Sequence, residues 1–181
     1  YNSRNQTVPI LCSRYRVSSD STVYTFYVDE KATFSDGSRV TIGDVIASYD
    51  AAKQSDYYKG RFTHIVEYKL REDGGLTFFL DTPYQNLPLL LDIPVIKDGS
   101  RDEAVPLGSG PYVMDGDTRL VRNTNWWQTA APIVDFAEVK LTLVEKTSEV
   151  RDNFEYENVN LVLSDPNSAA FAGFHNDYEL W

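Results

Sequence analysis

The stretch FSDGSRVTIGDVIASYD, residues 34–50, decides the predicted fold of the first half of the chain. It sets Asp36 before Gly37, and Asp44 three residues after Thr41. A Thr followed by an acidic residue at that spacing is close to a capping box, and the acid also suits the positive end of the helix dipole. Apolar residues then recur at helical spacing. The sequence therefore predicts a turn followed by a capped helix over residues 42–53.

The same acidic residues suggest a metal loop as an alternative. A calcium loop needs oxygen ligands at alternating positions and a late bidentate Glu, and Asp36 and Asp44 do not fit that pattern. We therefore expect both carboxylates to fix the joint between a strand and a helix. On this interpretation, Asp44→Ala lowers stability by about 1 kcal/mol through the lost cap.

Composition indicates a globular acidic protein. The 181 residues are 42% hydrophobic and 24% charged, with a net charge of −10, enough for one large domain or two small ones. The acidic balance argues against nucleic acid as a partner.

Cys12, the single cysteine, cannot form an internal disulfide and is expected to be a buried, small apolar residue. No signal peptide and no membrane span are predicted within these residues.

The remaining pattern is rich in strands. Alternation in STVYTFYVDE predicts a strand, and a Gly-Gly turn at 74–75 joins two further strands into a hairpin. This order favours a mixed α/β (α+β) fold with few helices. Further elements are predicted as a short helix at 87–91, two short strands around 115–117, a strand at 139–143, a helix at 148–156 and a strand at 159–163.

Motifs for catalysis and phosphate binding are weak. GSGP at 108–111 lacks the spacing of a phosphate loop, and no GxSxG accompanies His64 or His175, so no catalytic residue and no cofactor are predicted. A carboxylate pair for hydrolysis stays open because nothing distinguishes one pair from the others. Trp126 and Trp127 in NWW suit either core packing, which we favour, or stacking on a ligand.

Four blocks together resemble a known family. Residues 23–53, PLGSGPYVM at 106–114, LVRNTNWW at 120–127 and NFEYENVNLVLSD at 153–165 are similar, in order, to the signature blocks of bacterial extracellular solute-binding proteins of family 5. These are the dipeptide, oligopeptide and nickel receptors of ABC importers. Thr124 departs from the family pattern, which usually has Pro there.

The resemblance implies the fold and its subdivision. It indicates the first lobe of a type II periplasmic-binding-protein-like fold, from a family whose members run to roughly three times this length, so a truncated domain is expected. The implied division is the start of a core subdomain at 1–17, an inserted strand–helix–hairpin subdomain at 18–105, a core α/β subdomain at 106–165, and a tail at 166–181 leading toward a second lobe.

The resemblance also implies the function. We expect a non-enzymatic component of an ABC importer that captures extracellular peptides for a membrane permease, at the cell surface through a lipid anchor outside these residues or in the periplasm. The alternatives are a nickel chelate or an oligosaccharide as solute, a stand-alone interaction module, or a carboxylate-based hydrolase. Because the family's ligand lies between two lobes, Tyr112, Ser164 and Asp165 are the expected ligand-binding residues, with no metal ligand among them.

Overall fold

A computed structural model of the chain describes residues 8–128, 136–156 and 159–162. The chain divides into two compact units, Tyr1–Val113 with Val121–Ala137, and Met114–Leu120 with Glu138–Trp181. The strands are β1 (Cys12–Val17), β2 (Val23–Val28), β3 (Ile65–Leu70), β4 (Leu76–Leu80), β5 (Tyr112–Met114), β6 (Arg119–Arg122) and β7 (Glu138–Lys140); the helices are α1 (Ile42–Gln54), α2 (Leu87–Leu90) and α3 (Thr147–Tyr156).

The first sheet is antiparallel, with the strand order β1-β2-β4-β3. The predicted hairpin forms its β3–β4 edge, and the predicted strand at STVYTFYVDE becomes β2 in the interior of the sheet. The hydroxyls of Thr25 and Thr77 lie 2.8 Å apart across β2 and β4, on the face opposite Tyr24 and Phe78. Alternating residues thus give this sheet two different faces.

The main core lies between this sheet and α1. Tyr24, Leu76 and Phe78 from the sheet pack with Val45 and Tyr49 from the helix, and all five are buried. Each large apolar side chain buried in this way contributes roughly 1.5–3 kcal/mol. The apolar stripe predicted on residues 42–53 is therefore the surface that holds α1 to the sheet.

Helix α1 confirms the predicted cap. Thr41 Oγ1 accepts a hydrogen bond of 3.3 Å from the Asp44 N–H, and the Asp44 carboxylate accepts one of 2.8 Å from the Thr41 N–H. The helix begins at Ile42, as predicted, and ends at Gln54, one residue beyond the prediction. Gly37, with φ of 82°, makes the turn before it.

Strand β1 is not among the elements predicted from the sequence. Its side chains are mostly exposed, and the alternation of Arg14 and Arg16 with Tyr15 and Val17 spans only four residues. Arg14 instead stacks its guanidinium over the Tyr27 ring, 4.3 Å from the centroid. Cys12 is half-buried rather than fully buried, and its thiol donates to the carbonyl of Arg14 at 3.0 Å.

A second sheet has the order β5-β6-β7 and contains the two strands predicted around residues 115–117. The strand predicted at 139–143 is shorter than expected: β7 ends at Lys140, and Leu141 and Leu143 are exposed. The Leu141 N–H donates to the Thr118 carbonyl, and among the described residues no later backbone hydrogen bond extends β7. Alternation of apolar residues alone is therefore not enough to form a strand.

Two predictions near the end of the chain differ in outcome. The helix predicted at 148–156 is confirmed as α3, which begins one residue earlier. The strand predicted at 159–163 is wrong over residues 159–162, which have no strand structure, and residue 163 lies outside the described residues. The four-part division at 1–17, 18–105, 106–165 and 166–181 stays a prediction.

Candidate functional site

Three of the sequence blocks meet in space within the larger unit. The N–H of Ser35, in the FSDG turn, donates to the carbonyl of Gly108 at 2.9 Å, and the side chain of Asn125 donates to the Ser35 carbonyl at 2.8 Å. Residues about 90 positions apart are thus joined through one short turn. Three of the four motifs that carry the resemblance therefore form one hydrogen-bonded assembly rather than separate surface features.

Asn123 lies at the centre of this assembly. It is buried, its side-chain amide donates to the carbonyl of Gly110 at 2.9 Å, and its side-chain oxygen accepts from the N–H of Asn125 at 2.9 Å. Its backbone N–H also donates to the carbonyl of Pro111, at 2.8 Å. Buried polar groups that make all these bonds hold the Gly-Pro turn in one conformation.

Asp36 has a structural partner that the sequence did not reveal. The ammonium of Lys97 lies 2.6 Å from its carboxylate, and Ser38 donates to the same group through both its N–H and its hydroxyl. Lys97 first, and then Ser38, holds the pKa of Asp36 far below its ordinary value. Lys97 carries no periodic signal in the sequence, because it lies in a Gly- and Pro-rich loop.

Asp44 links the helix cap to the same loop. Besides binding Thr41, its carboxylate accepts a hydrogen bond of 2.8 Å from the backbone N–H of Asp98. Burial alone would raise the pKa of Asp44, but the bonds from Thr41 and Asp98 outweigh it, and the pKa is lowered. Asp36 and Asp44 therefore stabilise the connection between the turn and the helix, as expected.

The predicted ligand-binding residue Tyr112 lies on β5, directly after the Gly-Pro turn. It is half-buried, and its hydroxyl donates to the carbonyl of Phe136 at 3.0 Å. Its assignment to ligand binding stays a prediction. Ser164 and Asp165 lie outside the described residues, so their place beside Tyr112 also stays a prediction.

The tryptophan pair lies in the loop that follows β6. Trp127 packs against the small buried cluster of Ala32, Phe34 and Val40. Within the described residues, its indole N–H has no hydrogen-bond acceptor. This packing supports the structural interpretation of NWW for Trp127, and Trp126 remains partly exposed.

Groups suited to acid–base chemistry are scattered over the described part of the chain. His64 has Asp81 at 3.1 Å, but both side chains are about half exposed and sit beside the sheet edge. The hydroxyl of Thr82 donates to Asp81 at 3.1 Å and lies 3.5 Å from the imidazole nitrogen that faces Asp81, so one ring nitrogen faces both groups. Residues 8–128, 136–156 and 159–162 contain no cluster of three potential metal ligands, and none of their helices is long and apolar enough to cross a bilayer.

The family is shown by the sequence. The profile described as "Bacterial extracellular solute-binding proteins, family 5 Middle" matches residues 6–177. The chain therefore belongs to the family 5 bacterial extracellular solute-binding proteins.

Two curated proteins are similar to parts of this chain. Protein XP55 of Streptomyces lividans is 29% identical over 112 residues, 56% of this chain and 21% of that protein. Uncharacterized protein y4wM of Sinorhizobium fredii is 30% identical over 129 residues, 59% of this chain and 20% of that protein. The chain thus spans about a fifth of the length of these curated relatives.

Solved structures show the same fold. The periplasmic murein tripeptide-binding protein MppA, in its unliganded open form, superposes with a TM-score of 0.72 at 17% identity, over 88% of this chain and 37% of that one. The pheromone receptor PrgZ gives 0.71 at 16%, over 88% and 39%. NikA from Staphylococcus aureus, in complex with Ni(L-His)2, gives 0.69 at 17%, over 88% and 35%. The predicted type II periplasmic-binding-protein-like fold is confirmed.

Proposed function

We propose that this chain forms part of the solute-binding receptor of an ABC importer and that the solute is a short peptide. The observation that carries the proposal is the family match over nearly the whole chain. Two neighbours in fold support the peptide: one is a murein tripeptide-binding protein, and the other has a described mode of peptide binding. The receptor would work outside the cytoplasmic membrane, in the periplasm or lipid-anchored at the cell surface, and would deliver the peptide to a permease.

The binding edge would lie near Tyr112, with Ser164 and Asp165 as the other predicted contacts. Asn123 fixes the backbone on the N-terminal side of Tyr112, through the carbonyls of Gly110 and Pro111. A site whose supporting backbone is already ordered loses less entropy when it binds a ligand. The aromatic ring of Tyr112 would then offer a flat surface to a peptide side chain.

The chain spans 35–39% of the three neighbours in fold described above, so we propose that it supplies one wall of the ligand cleft. Closure of two lobes draws binding energy from both sides of the ligand, and one wall alone provides only part of it. We therefore expect dissociation constants for this chain near or above about 1 mM, equivalent to about −4 kcal/mol. Catalysis has no place in this proposal.

Chemical-shift mapping by NMR is suited to such weak binding. We would titrate the chain with a pool of tri- and tetrapeptides, with Ni(L-His)2, and with an oligosaccharide pool. We expect saturable shifts at Tyr112 and its neighbours for the peptides only. Saturable shifts with the nickel chelate or the sugars alone would reject the peptide, and micromolar peptide affinity would reject the partial-cleft interpretation.

A further inference from the structure

An open cavity of about 370 Å³ lies within the larger unit, between β1, β2, α1 and the segment at residues 85–92. Its volume falls inside the range of roughly 300–1,000 Å³ that is typical of small-molecule sites. Tyr112 is not among its lining residues, so it is separate from the binding edge proposed above. We propose that this cavity binds a small aromatic or branched apolar group that carries a hydrogen-bond donor.

The floor of the cavity is aromatic. Phe26 and Phe78 meet edge-to-face with centroids 5.7 Å apart, and Tyr49 lies 5.8 Å from Phe78. The hydroxyl of Tyr49 already donates to the carbonyl of Leu91 at 3.2 Å. Tyr49 and Phe78 are buried, so the floor offers a guest the partly exposed ring of Phe26, which those two rings hold in place from behind.

The mouth of the cavity keeps apolar surface in contact with water. Tyr15 stacks on Phe26 with centroids 5.4 Å apart, yet 49% of Tyr15 is exposed. Ile10 lies on the same mouth and is 59% exposed. A guest that covers these two side chains removes apolar area from water, which favours an apolar group of matching size.

The polar side chains at the rim of the cavity determine which head group on the bound molecule is favoured. It is formed by the exposed carboxamides of Gln85 and Asn86 and by Asp92, the one charged residue that lines the cavity within the described chain. Arg61 donates to the backbone carbonyl of Asp92. The ionised carboxylate of Asp92 only accepts hydrogen bonds. The rim therefore favours a bound molecule with a donor head group, such as an ammonium or amide N–H, over one with a carboxylate head group.

The test uses the full chain and three small probes. L-Phenylalaninamide carries an aromatic ring and a donor head, 3-phenylpropionate carries the ring with an anionic head, and L-alaninamide lacks the ring. Binding is measured by displacement of the fluorescent dye N-phenyl-1-naphthylamine. We expect L-phenylalaninamide to displace the dye at least about threefold more tightly than 3-phenylpropionate, and L-alaninamide to leave it bound.

Cys12 also lines the cavity and gives a second readout that does not depend on the dye. Its alkylation by a maleimide should slow at least about threefold when L-phenylalaninamide saturates the site. An unchanged alkylation rate at saturating probe would overturn the proposal, because the guest would then lie elsewhere. Failure of the dye to bind at all would overturn it equally.

Matched variants separate the site from general surface effects. Tyr15→Thr removes an aromatic wall and should weaken L-phenylalaninamide about fivefold. Val17→Thr changes a residue of similar exposure on the same strand that does not line the cavity, and should leave affinity within about twofold. Asp92→Asn should remove the discrimination against 3-phenylpropionate. Equal losses in the Tyr15 and Val17 variants, or unchanged discrimination in the Asp92 variant, would contradict the proposal.

Discussion

The carboxylate of Asp44 accepts a hydrogen bond of 2.8 Å from the backbone N–H of Asp98, 54 residues further along the chain. The same carboxylate caps α1 through Thr41. One side chain therefore fixes both the start of a helix and the path of a distant loop, and its loss leaves two backbone donors without a partner.

Asp44→Ala should accordingly cost more than a cap alone. We expect a loss of about 2 kcal/mol in the free energy of unfolding, because hydrogen bonds to charged groups are each worth about 1.5–3 kcal/mol and partial rescue by water is available. Urea denaturation followed by circular dichroism measures it. Asp102→Ala, at an exposed position, is the control and should change stability by less than about 0.5 kcal/mol. Equal effects of the two substitutions would refute the role of Asp44.

The lowered pKa of Asp44 makes its contribution depend on pH. Because the folded pKa lies below the unfolded one, the stabilisation is fully present above the ordinary Asp value of 3.8 and is lost as pH falls through the folded pKa. The difference in unfolding free energy between the wild type and Asp44→Asn should therefore narrow below about pH 4. A difference that stays constant from pH 7 to pH 2 would contradict this.

Asn123→Ala should destabilise the turn that precedes Tyr112. The substitution removes two part-buried hydrogen bonds, to the Gly110 carbonyl and from the Asn125 N–H, each worth about 1 kcal/mol, so we expect a loss of about 2 kcal/mol. Asn123→Asp keeps the acceptor for the Asn125 N–H but sets a carboxylate oxygen against the Gly110 carbonyl, so it should be destabilised as well. Hydrogen exchange at the Asn125 N–H should be faster in the Ala variant and protected in the Asp variant; protection in both would argue against this role.

Gly75→Ala should destabilise the protein because the added Cβ clashes with neighbouring side chains, and not because of the backbone conformation at residue 75. A Cβ there would lie 2.7 Å from the methyl of Thr25 and 3.1 Å from the ring of Tyr27. Overpacking of this kind costs about 1–3 kcal/mol. Gly60→Ala has no atom within 4 Å of its new Cβ and is the matched control. Adding Thr25→Ser removes the clashing methyl and should recover part of the loss; no recovery would mean that the clash is not the cause.

Tyr112→Phe tests the proposed binding edge. The lost hydrogen bond to Phe136 is partly exposed, so we expect a cost of less than about 1 kcal/mol. Peptide-induced shifts around residue 112 should persist in the Phe variant and vanish in Tyr112→Ala, because the ring is the expected contact. Tyr57→Ala, at an exposed position, serves as the control. Full peptide shifts in Tyr112→Ala would remove this residue from the site.

Local chemistry was enough to predict several elements from the sequence. The capping box at Thr41 and Asp44 and the spacing of the apolar residues after it placed α1, because both act within a few residues of the chain. The turn at Gly74 and Gly75 placed the β3–β4 hairpin for the same reason. Four motifs in the family's order were enough to predict the family from the sequence.

Long-range pairing was decided only by the tertiary structure. Lys97 reaches Asp36 across 61 positions and Asn125 reaches Ser35 across 90, and neither separation leaves a periodic trace in the sequence. Strand β1 forms because β2 offers it hydrogen bonds, whereas Leu141 and Leu143 alternate equally well and remain outside β7. The sequence by itself determined which segments could form strands and helices; the available partners, and the cavity left between them, were set by packing across the chain.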